Sequence, residues 1–519
     1  MYRMVTQQLI LEAALTAQAA VLLILTLAVV NVVRKLFFHS LSRYPGPWLN
    51  AISEIPEALQ LIAGRQHAYH RKLHERYGSA VRVSPNELIF SGAKAWDDIY
   101  GNKPGKGDME KSPLVAGGLP QGQQARSLTL VKWDDHVRQR KAFAYPFSNS
   151  ALLQQEPLVQ GWVDKLITRL GQYADTGKPA NMVAWFTYTT FDMIGDLCFD
   201  EPFGCLEAAN DTEWSRNIVH IGTAGAYEQA ARRVAGVGTW LQGQLSKWFI
   251  PELYRRWRMV HFANSMEKTK RRIAAGDKDH KDFIYYILKN NEAKSSLSEM
   301  EIIMNSALFI GAGSDTTAIA VSAWLYLVLT NESTYRKLVT EIRGTFKSHK
   351  NITWNAVKDL PYLGACISET LRMVPPAPGN FCRITPPEGG MIEGNWVPGN
   401  TTVSVSAWTT SHSPSNFTDP LTFAPERWLD AGREKYPIHV KEASQPFSYG
   451  PRGCIGKNLS YIEQRLMISH LLWHYDFELA EDMKGANDAW RPKDDMKHMK
   501  SYLVWEKPDL WVKLRRVAR

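Results

Sequence analysis

Residues 298 to 333, SEMEIIMNSALFIGAGSDTTAIAVSAWLYLVLTNES, leave this chain little choice of architecture. Ser298 followed by Glu301 has the form of a capping box and predicts a helix start. The residues that follow are apolar around most of a helical circumference, so the helix must run through a large core. A chain of 519 residues can supply such a core. Yet GAGSDTT, residues 311 to 317, sits in the middle of the run. Gly311 and Gly313 each weaken a helix by about 1 kcal/mol relative to Ala, and Asp315 and Thr316 put polar groups where packing is expected. Sequences break local rules in this way mainly at functional sites.

A second apolar run lies at the amino-terminal end. From Ala13 to Val33, AALTAQAAVLLILTLAVVNVV contains no charged residue. At about 1.5 Å per residue it matches a bilayer core of about 30 Å, and it is longer than the apolar part of a cleaved signal peptide. Arg34, Lys35 and Arg43 follow it, against Arg3 before it, which favours a body on the cytosolic side. RYPGPW, residues 43 to 48, makes a stiff turn after it, because neither proline continues a helix. With a cytosolic body, the sequons at Asn331, Asn351, Asn400 and Asn416 carry no weight.

Length alone would allow about three domains, but no Gly/Ser-rich linker divides residues 51 to 519. Residues 152 to 174 and 185 to 199 have helical apolar spacing. AVRVS (80 to 84), ELIFS (87 to 91) and TTVSVSAW (401 to 408) read as strands. The expected layout is a short tail (1 to 12), a transmembrane anchor (13 to 33), a basic, proline-rich linker (34 to 50) and one body (51 to 519), mainly α with a small β portion.

The net charge of +9 admits nucleic acid, an anionic membrane or an acidic protein as partner. No basic block with interleaved aromatics marks a nucleic-acid binder. The cysteines are Cys198, Cys205, Cys366, Cys382 and Cys454, an odd number without a CxxC pair, so a disulfide framework is not expected. Cys454 stands apart. In FSYGPRGCIG, residues 447 to 456, it lies among Gly450, Gly453 and Gly456. A thiolate ligand of haem iron needs such a loop, so that a flat macrocycle can lie against backbone. The segment from Ile455 reads as a helix whose positive end favours a sulfur anion. Arg452 can pair a haem propionate, and Phe447 can shield the sulfur.

FSYGPRGCIG fits Phe-x-x-Gly-x-Arg-x-Cys-x-Gly at every fixed position. Here the chain resembles the cytochrome P450 family of haem-thiolate monooxygenases, which implies the cytochrome P450 fold. Further matches follow the family's order. Glu369 and Arg372 in SETLRM, with Arg427 in PERW, resemble a buried structural charge triad. In WDDHVRQRKAF (133 to 143), His136 and Arg140 match a propionate-binding pair, and Arg383 in FCRITPPEGG matches another propionate arginine. AGSDTT (312 to 317) matches the oxygen-activating stretch. There Thr316 offers a hydroxyl, Asp315 relays protons from solvent, and Gly311 and Gly313 leave room for dioxygen and water. The thiolate of Cys454 pushes electron density towards O–O cleavage. YTTFDMIGDLCFDEPFGCLE (188 to 207) is similar to fungal members of secondary metabolism, notably isotrichodermin C-15 hydroxylases.

The resemblance implies a single-pass enzyme of the endoplasmic reticulum membrane with a cytosolic catalytic domain and haem b. It would use O2 and NADPH-derived electrons, delivered by NADPH-cytochrome P450 reductase, since the chain has no GxGxxG of its own. Its substrate would be a lipophilic small molecule, a terpenoid or polyketide, hydroxylated or epoxidised. By analogy, substrate contacts are expected before Trp133, around 220 to 240, at Ala307 to Ala312 and in PAPGNF (376 to 381). A haem-thiolate isomerase or dehydratase is the alternative, and a non-enzymatic haem-binding protein the next. Asp315 and Thr316 speak for oxygen chemistry.

Overall fold

A computed structural model describes residues 2–102, 109–116, 125–276, 279–290 and 296–518, with backbone alone at 2–11, 13 and 219. The helices that build the site are α1 (Tyr2–Phe37), α2 (Trp133–Ala144), α3 (Asn149–Thr176), α4 (Met182–Phe199), α5 (Val219–Ala235), α6 (Trp240–Phe249), α7 (Glu299–Leu329), α8 (Pro361–Met373) and α9 (Lys457–His474). The predicted capping box is present at the start of α7, with Ser298 and Glu301 each accepting the other's backbone N–H. Neither Gly311 nor Gly313 breaks the helix. It stops at Leu329, four residues before the sequence pattern suggested, and a new helix begins at Glu332. Asn331 causes the break by turning its side chain back onto the Leu327 carbonyl.

The core is built around α7. Ile303, Ile310, Ile319, Val321, Trp324 and Leu325 are buried on it, and α4 packs along its length. A side chain at Gly313 would place its Cβ 2.7 Å from Ile194 of α4. The two helices therefore approach closely because position 313 has no side chain. This corrects the expectation that Gly313 clears space for dioxygen. A Cβ at Gly311 meets no atom within 4 Å, so that position remains open.

The strands are β1 (Ala80–Ser84), β2 (Glu87–Phe90), β3 (Ala180–Asn181), β4 (Arg383–Ile384), β5 (Gly390–Ile392), β6 (Asn395–Val397), β7 (Thr402–Val405), β8 (Tyr475–Leu479) and β9 (Trp511–Arg516). They form sheets of order β1-β2-β7-β4 and β3-β9-β8 and a β5-β6 hairpin. The predicted strand at 401 to 408 ends at Val405, and Trp408 lies in the helix Ala407–His412. Pairing of Arg383 with Val403 fixes the arginine at one edge of the first sheet. The helix α5 is tied to this sheet through Arg233. Its guanidinium bonds Glu87 of β2 at 2.5 and 3.1 Å and Glu54 at 3.1 Å, with Arg233 and Glu87 fully buried.

The helix α1 is continuous through the expected tail and the first linker residues. Two helices are long and apolar enough to span a membrane among the described residues. One is α7, which the core encloses. The other, Ala14–Phe37, is exposed along its length.

The helix α2 is clamped to the start of α7. Arg138 bonds Glu301 at 2.5 Å, Gln139 donates to Glu301 at 3.1 Å, and Asn305 donates to Gln139 at 3.0 Å. Burial resists ionisation of Glu301, but Arg138 and Ser298 outweigh it and hold the carboxyl down at about 2, against an ordinary 4.5. Its stabilising effect is therefore present above about pH 4.5 and lost as pH falls towards 2. Glu301→Gln should melt below wild type at pH 7, and the two melting curves should converge near pH 2.

Candidate functional site

The Cys454 loop is held by backbone. The Cys454 N–H donates to the Phe447 carbonyl at 2.8 Å, and the Gly453 N–H to the Gly450 carbonyl at 2.9 Å. Gly450 has φ +72°, and a Cβ there would lie 1.9 Å from the Tyr100 carbonyl oxygen. No other residue fits without moving the loop. Gly456 differs, since the nearest atom to a Cβ built on it is the Cys454 sulfur at 4.0 Å. So Gly450 is needed for close packing of the loop, and Gly456 leaves the flank of the sulfur clear. Of the five cysteines, four are buried and Cys454 alone is exposed. The surrounding protein still pushes its thiol pKa up, against the Gly456 N–H, Arg140 and Lys457. Phe447 packs on Tyr461 with ring centres 5.2 Å apart.

Beside this loop, cations converge on one histidine. His136 of α2 is buried, and its Nδ1 has no hydrogen-bond partner among the described residues. Its pKa is pushed down to about 3, first by burial and then by Arg452, Arg140, Lys111 and Arg383. The helix α2, the strand β4, the Cys454 loop and the bridge at Lys111 thus bring four positive side chains round a neutral imidazole. Arg140 donates to the Gly453 carbonyl at 2.7 Å, and Arg452 to the Val131 carbonyl at 2.9 Å. Arg383 lies over the Tyr100 ring, 5.1 Å from its centre. Such a cluster is complementary to a dicarboxylate. With the exposed sulfur and the orphaned His136 Nδ1, the residues present fit a haem. Lys111 belongs to the set and was not foreseen, because it follows no motif and reaches Arg383 through an isolated bridge.

In the middle of α7, Ala312 is exposed and Gly311, Gly313 and Thr316 are half-buried, although Ile310, Ser314 and Asp315 are buried. A cleft therefore reaches the heart of the core helix. Thr316 turns its hydroxyl back onto the Ala312 carbonyl at 2.7 Å. Asp315 was expected to lead towards solvent; it is 8% exposed and pairs with Lys507 at 2.5 Å. A carboxylate in this core needs a partner, and the chain supplies it from 192 residues away. Thr317 donates to Glu463 of α9 at 2.8 Å. Burial pushes the Glu463 carboxyl up to about 8, and the Thr317 bond only partly offsets this. Glu463 could have been noticed as an acid inside the otherwise apolar face of the helix after Cys454.

The expected triad forms. Arg372 grips Glu369 with two bonds of 2.8 Å, and Arg427 meets the same carboxylate at 3.0 Å. The Trp428 indole and the Ala424 N–H complete the shell at 2.9 and 3.0 Å. All three charged side chains are fully buried, and the arginines spend their remaining donors on the carbonyls of Ser411, Pro420 and Thr418. The pairing holds Glu369 below its ordinary pKa despite burial.

Outside the Cys454 loop are two adjoining surface clefts, of ≈540 and ≈260 Å³, that share Ser368 and Tyr461. Lys441 and Lys457 line the larger, with Phe447 beneath, and Lys358 and Arg465 line the smaller. The part of the expected substrate region at 117–124 lies outside the described residues.

A model of the family "Cytochrome P450" matches residues 45–499. The chain is 50% identical over 507 residues to cytochrome P450 monooxygenase aba2 of Botryotinia fuckeliana, covering 97% of this chain and 96% of that one. It is 46% identical to ABA2 of Pyricularia oryzae, over 96% and 95% of the two chains, and 39% identical to astJ of Aspergillus oryzae, over 93% and 94%. The family works with haem iron, dioxygen and electrons from a redox partner. Likeness of this extent runs through every element that carries Cys454, the cation cluster and the α7 turn, and the chain belongs to the cytochrome P450 family of monooxygenases.

Proposed function

We propose that this chain is a membrane-anchored haem-thiolate monooxygenase that hydroxylates or epoxidises a lipophilic small molecule, a terpenoid or polyketide of fungal secondary metabolism. The observation that carries the reading is the convergence of Arg140, Arg383, Arg452 and Lys111 on buried His136, beside the loop of the one exposed cysteine. Cys454 would hold the iron of haem b through its sulfur, His136, Arg140, Arg383 and Arg452 would take its two carboxylates, and Phe447 would cover the sulfur from the side of the outer clefts. Bound there, a haem would supply the chemistry by which, with two electrons from a redox partner and two protons, one atom of dioxygen enters a C–H or C=C bond and the other leaves as water.

The remaining work falls to this chain's own residues. Thr316 Oγ1 holds a hydroxyl proton at the cleft of the α7 turn, and a proton taken up from solvent water through the Asp315 carboxylate would restore it after transfer. Lys507 holds the Asp315 carboxylate, one residue before Thr316 on α7. The triad of Glu369, Arg372 and Arg427 is scaffold, because removing one member strands a buried charge at a cost of about 3–5 kcal/mol. Of Ala307 to Ala312, the residues that are not buried, Leu308, Gly311 and Ala312, offer the apolar wall that a lipophilic substrate needs.

Residues 13 to 33 anchor the chain in the endoplasmic reticulum membrane with the body in the cytosol. Besides the exposed apolar flank of α1, the surface of α6 supports this. None of its residues is buried, and Trp240 and Trp248 are both 77% exposed. Exposed tryptophans suit a headgroup layer better than water. The lysine-lined clefts outside the Cys454 loop suit the acidic face of NADPH-cytochrome P450 reductase.

The experiment that tests the function is a metabolite profile of a strain lacking this chain. A compound lighter by oxygen than the lost product supports the reading, and accumulation of an isomer favours rearrangement instead. With that compound as substrate, Thr316→Ala should send about tenfold more NADPH electrons to hydrogen peroxide, while the visible absorption maximum of the ferrous–CO complex, which reports the sulfur ligand and not the distal groups, keeps its wild-type wavelength. Lys358→Glu with Lys441→Glu should slow NADPH-supported reduction about tenfold at low salt, and the gap should close as ionic strength rises. An equal gap at all salt concentrations counts against docking at these clefts.

A further inference from the structure

Four consecutive side chains at the α7 turn can hydrogen-bond, and they do so differently. Ser314 and Thr316 bond back into α7, to the carbonyls of Ile310 and Ala312 at 2.8 and 2.7 Å. Such bonds cannot fix how the helix is rotated about its axis. Asp315 and Thr317 reach other elements. Asp315 goes to Lys507 in the segment before β9, and Thr317 to Glu463 on α9. Thr317 and Glu463 are 2% and 4% exposed, so water competes little for their 2.8 Å bond. The contact is braced by Ser460, 3.4 Å from the Thr317 hydroxyl and itself accepting from Gln464 at 2.9 Å.

We propose that Glu463 is a positioning residue for oxygen activation: through Thr317 it locks the rotation of α7 at Thr316 against α9, the helix that starts three residues after Cys454. The inference rests on the reading that Thr316 and Cys454 serve one reaction. Close packing already resists a roll of the helix, and a directional hydrogen bond adds a restraint on its rotation that apolar contacts lack. A side-chain atom sits about 5 Å from the helix axis, so a roll of about 10° moves it by about 1 Å. A misplacement of that size can cost about 100-fold in rate. The Glu463 carboxyl suits the task. It retains its proton at neutral pH and needs no cation beside it, so it can accept from Thr317 without a buried charge.

The test uses the full-length, haem-loaded chain and needs no identified substrate. Thr317→Val removes the donor at equal volume, Thr317→Ser restores it, and Glu463→Gln keeps an acceptor without a titrating group. Two quantities are read: amide hydrogen exchange across residues 311 to 318, and the C–O stretch of the ferrous–CO complex, which senses polar groups beside bound CO. Thr317→Val should exchange about tenfold faster across that stretch and shift or broaden the C–O band. Thr317→Ser and Glu463→Gln should match wild type in both. Unchanged exchange and an unchanged band in Thr317→Val, with only a lower melting temperature, would overturn the proposal. So would a Thr317→Ser variant that behaves like Thr317→Val. Thr316→Ala separates the two readings. If it leaves the C–O band unmoved, the role of Thr316 fails, and hydrogen exchange in the Thr317 variants still decides the tether.

Discussion

The close approach of α7 to α4 is the contact on which the rest of the structure depends. A helix that is apolar on most sides must be enclosed on most sides, and α4 supplies the longest wall. The missing side chain at Gly313 lets Ile194 fill the space between them. With that face sealed, the opening in α7 is confined to the side of Gly311, Ala312 and Thr316. The clamp of Arg138, Gln139 and Asn305 then fixes α2 at the start of the same helix, and α2 brings His136 and Arg140 to the Cys454 loop. One buried helix thus sets the frame for both the oxygen side and the cation side of the site.

Electrostatics separates the scaffold from the site. In the scaffold, buried charges meet opposite charges. Glu369 has two arginines, an indole and a backbone N–H; Arg233 has Glu87 and Glu54. Round His136 the charges acting on the ring are all positive. Bringing like charges together in a partly dry interior is unfavourable, and a fold tolerates it where an anion is to be held. That contrast is a stronger pointer to a dianionic ligand than any single arginine, since each of these arginines also makes an ordinary carbonyl or ring contact.

What the sequence disclosed and what it withheld follow one division. Local signals were legible: the capping box at Ser298, the i, i+3 spacing of Glu369 and Arg372, and the run of residues around Cys454 that reads as a bare backbone loop. Boundaries failed where a side chain competes with the backbone, as Asn331 does at the end of α7. The reason for Gly313 was misread, because a glycine in a helix looks the same whether it admits a ligand or a neighbouring helix. Lys507, Lys111 and the Glu87–Arg233 tie were invisible. Each depends on segments brought together only by the fold, and a lone lysine or glutamate in sequence is most often a solvated charge.

The helix α9 gathers these threads. It begins just after Cys454, so any tilt of it moves the sulfur. Its first turn carries Lys457 on the wall of the outer cleft, and six residues later Glu463 reaches inward to Thr317. Arg465, two residues after Glu463 and so on the other side of the helix, lines the smaller outer cleft and donates to the Val357 carbonyl at 2.9 Å. One helix therefore has an outer face on the surface clefts, an end beside Cys454 and an inner face bonded to the turn that carries Thr316. On the proposed reading, a partner at the outer clefts would meet the same helix that borders the other two. Because close-packed interiors transmit strain, a displacement of α9 would reach both the Cys454 loop and the α7 turn.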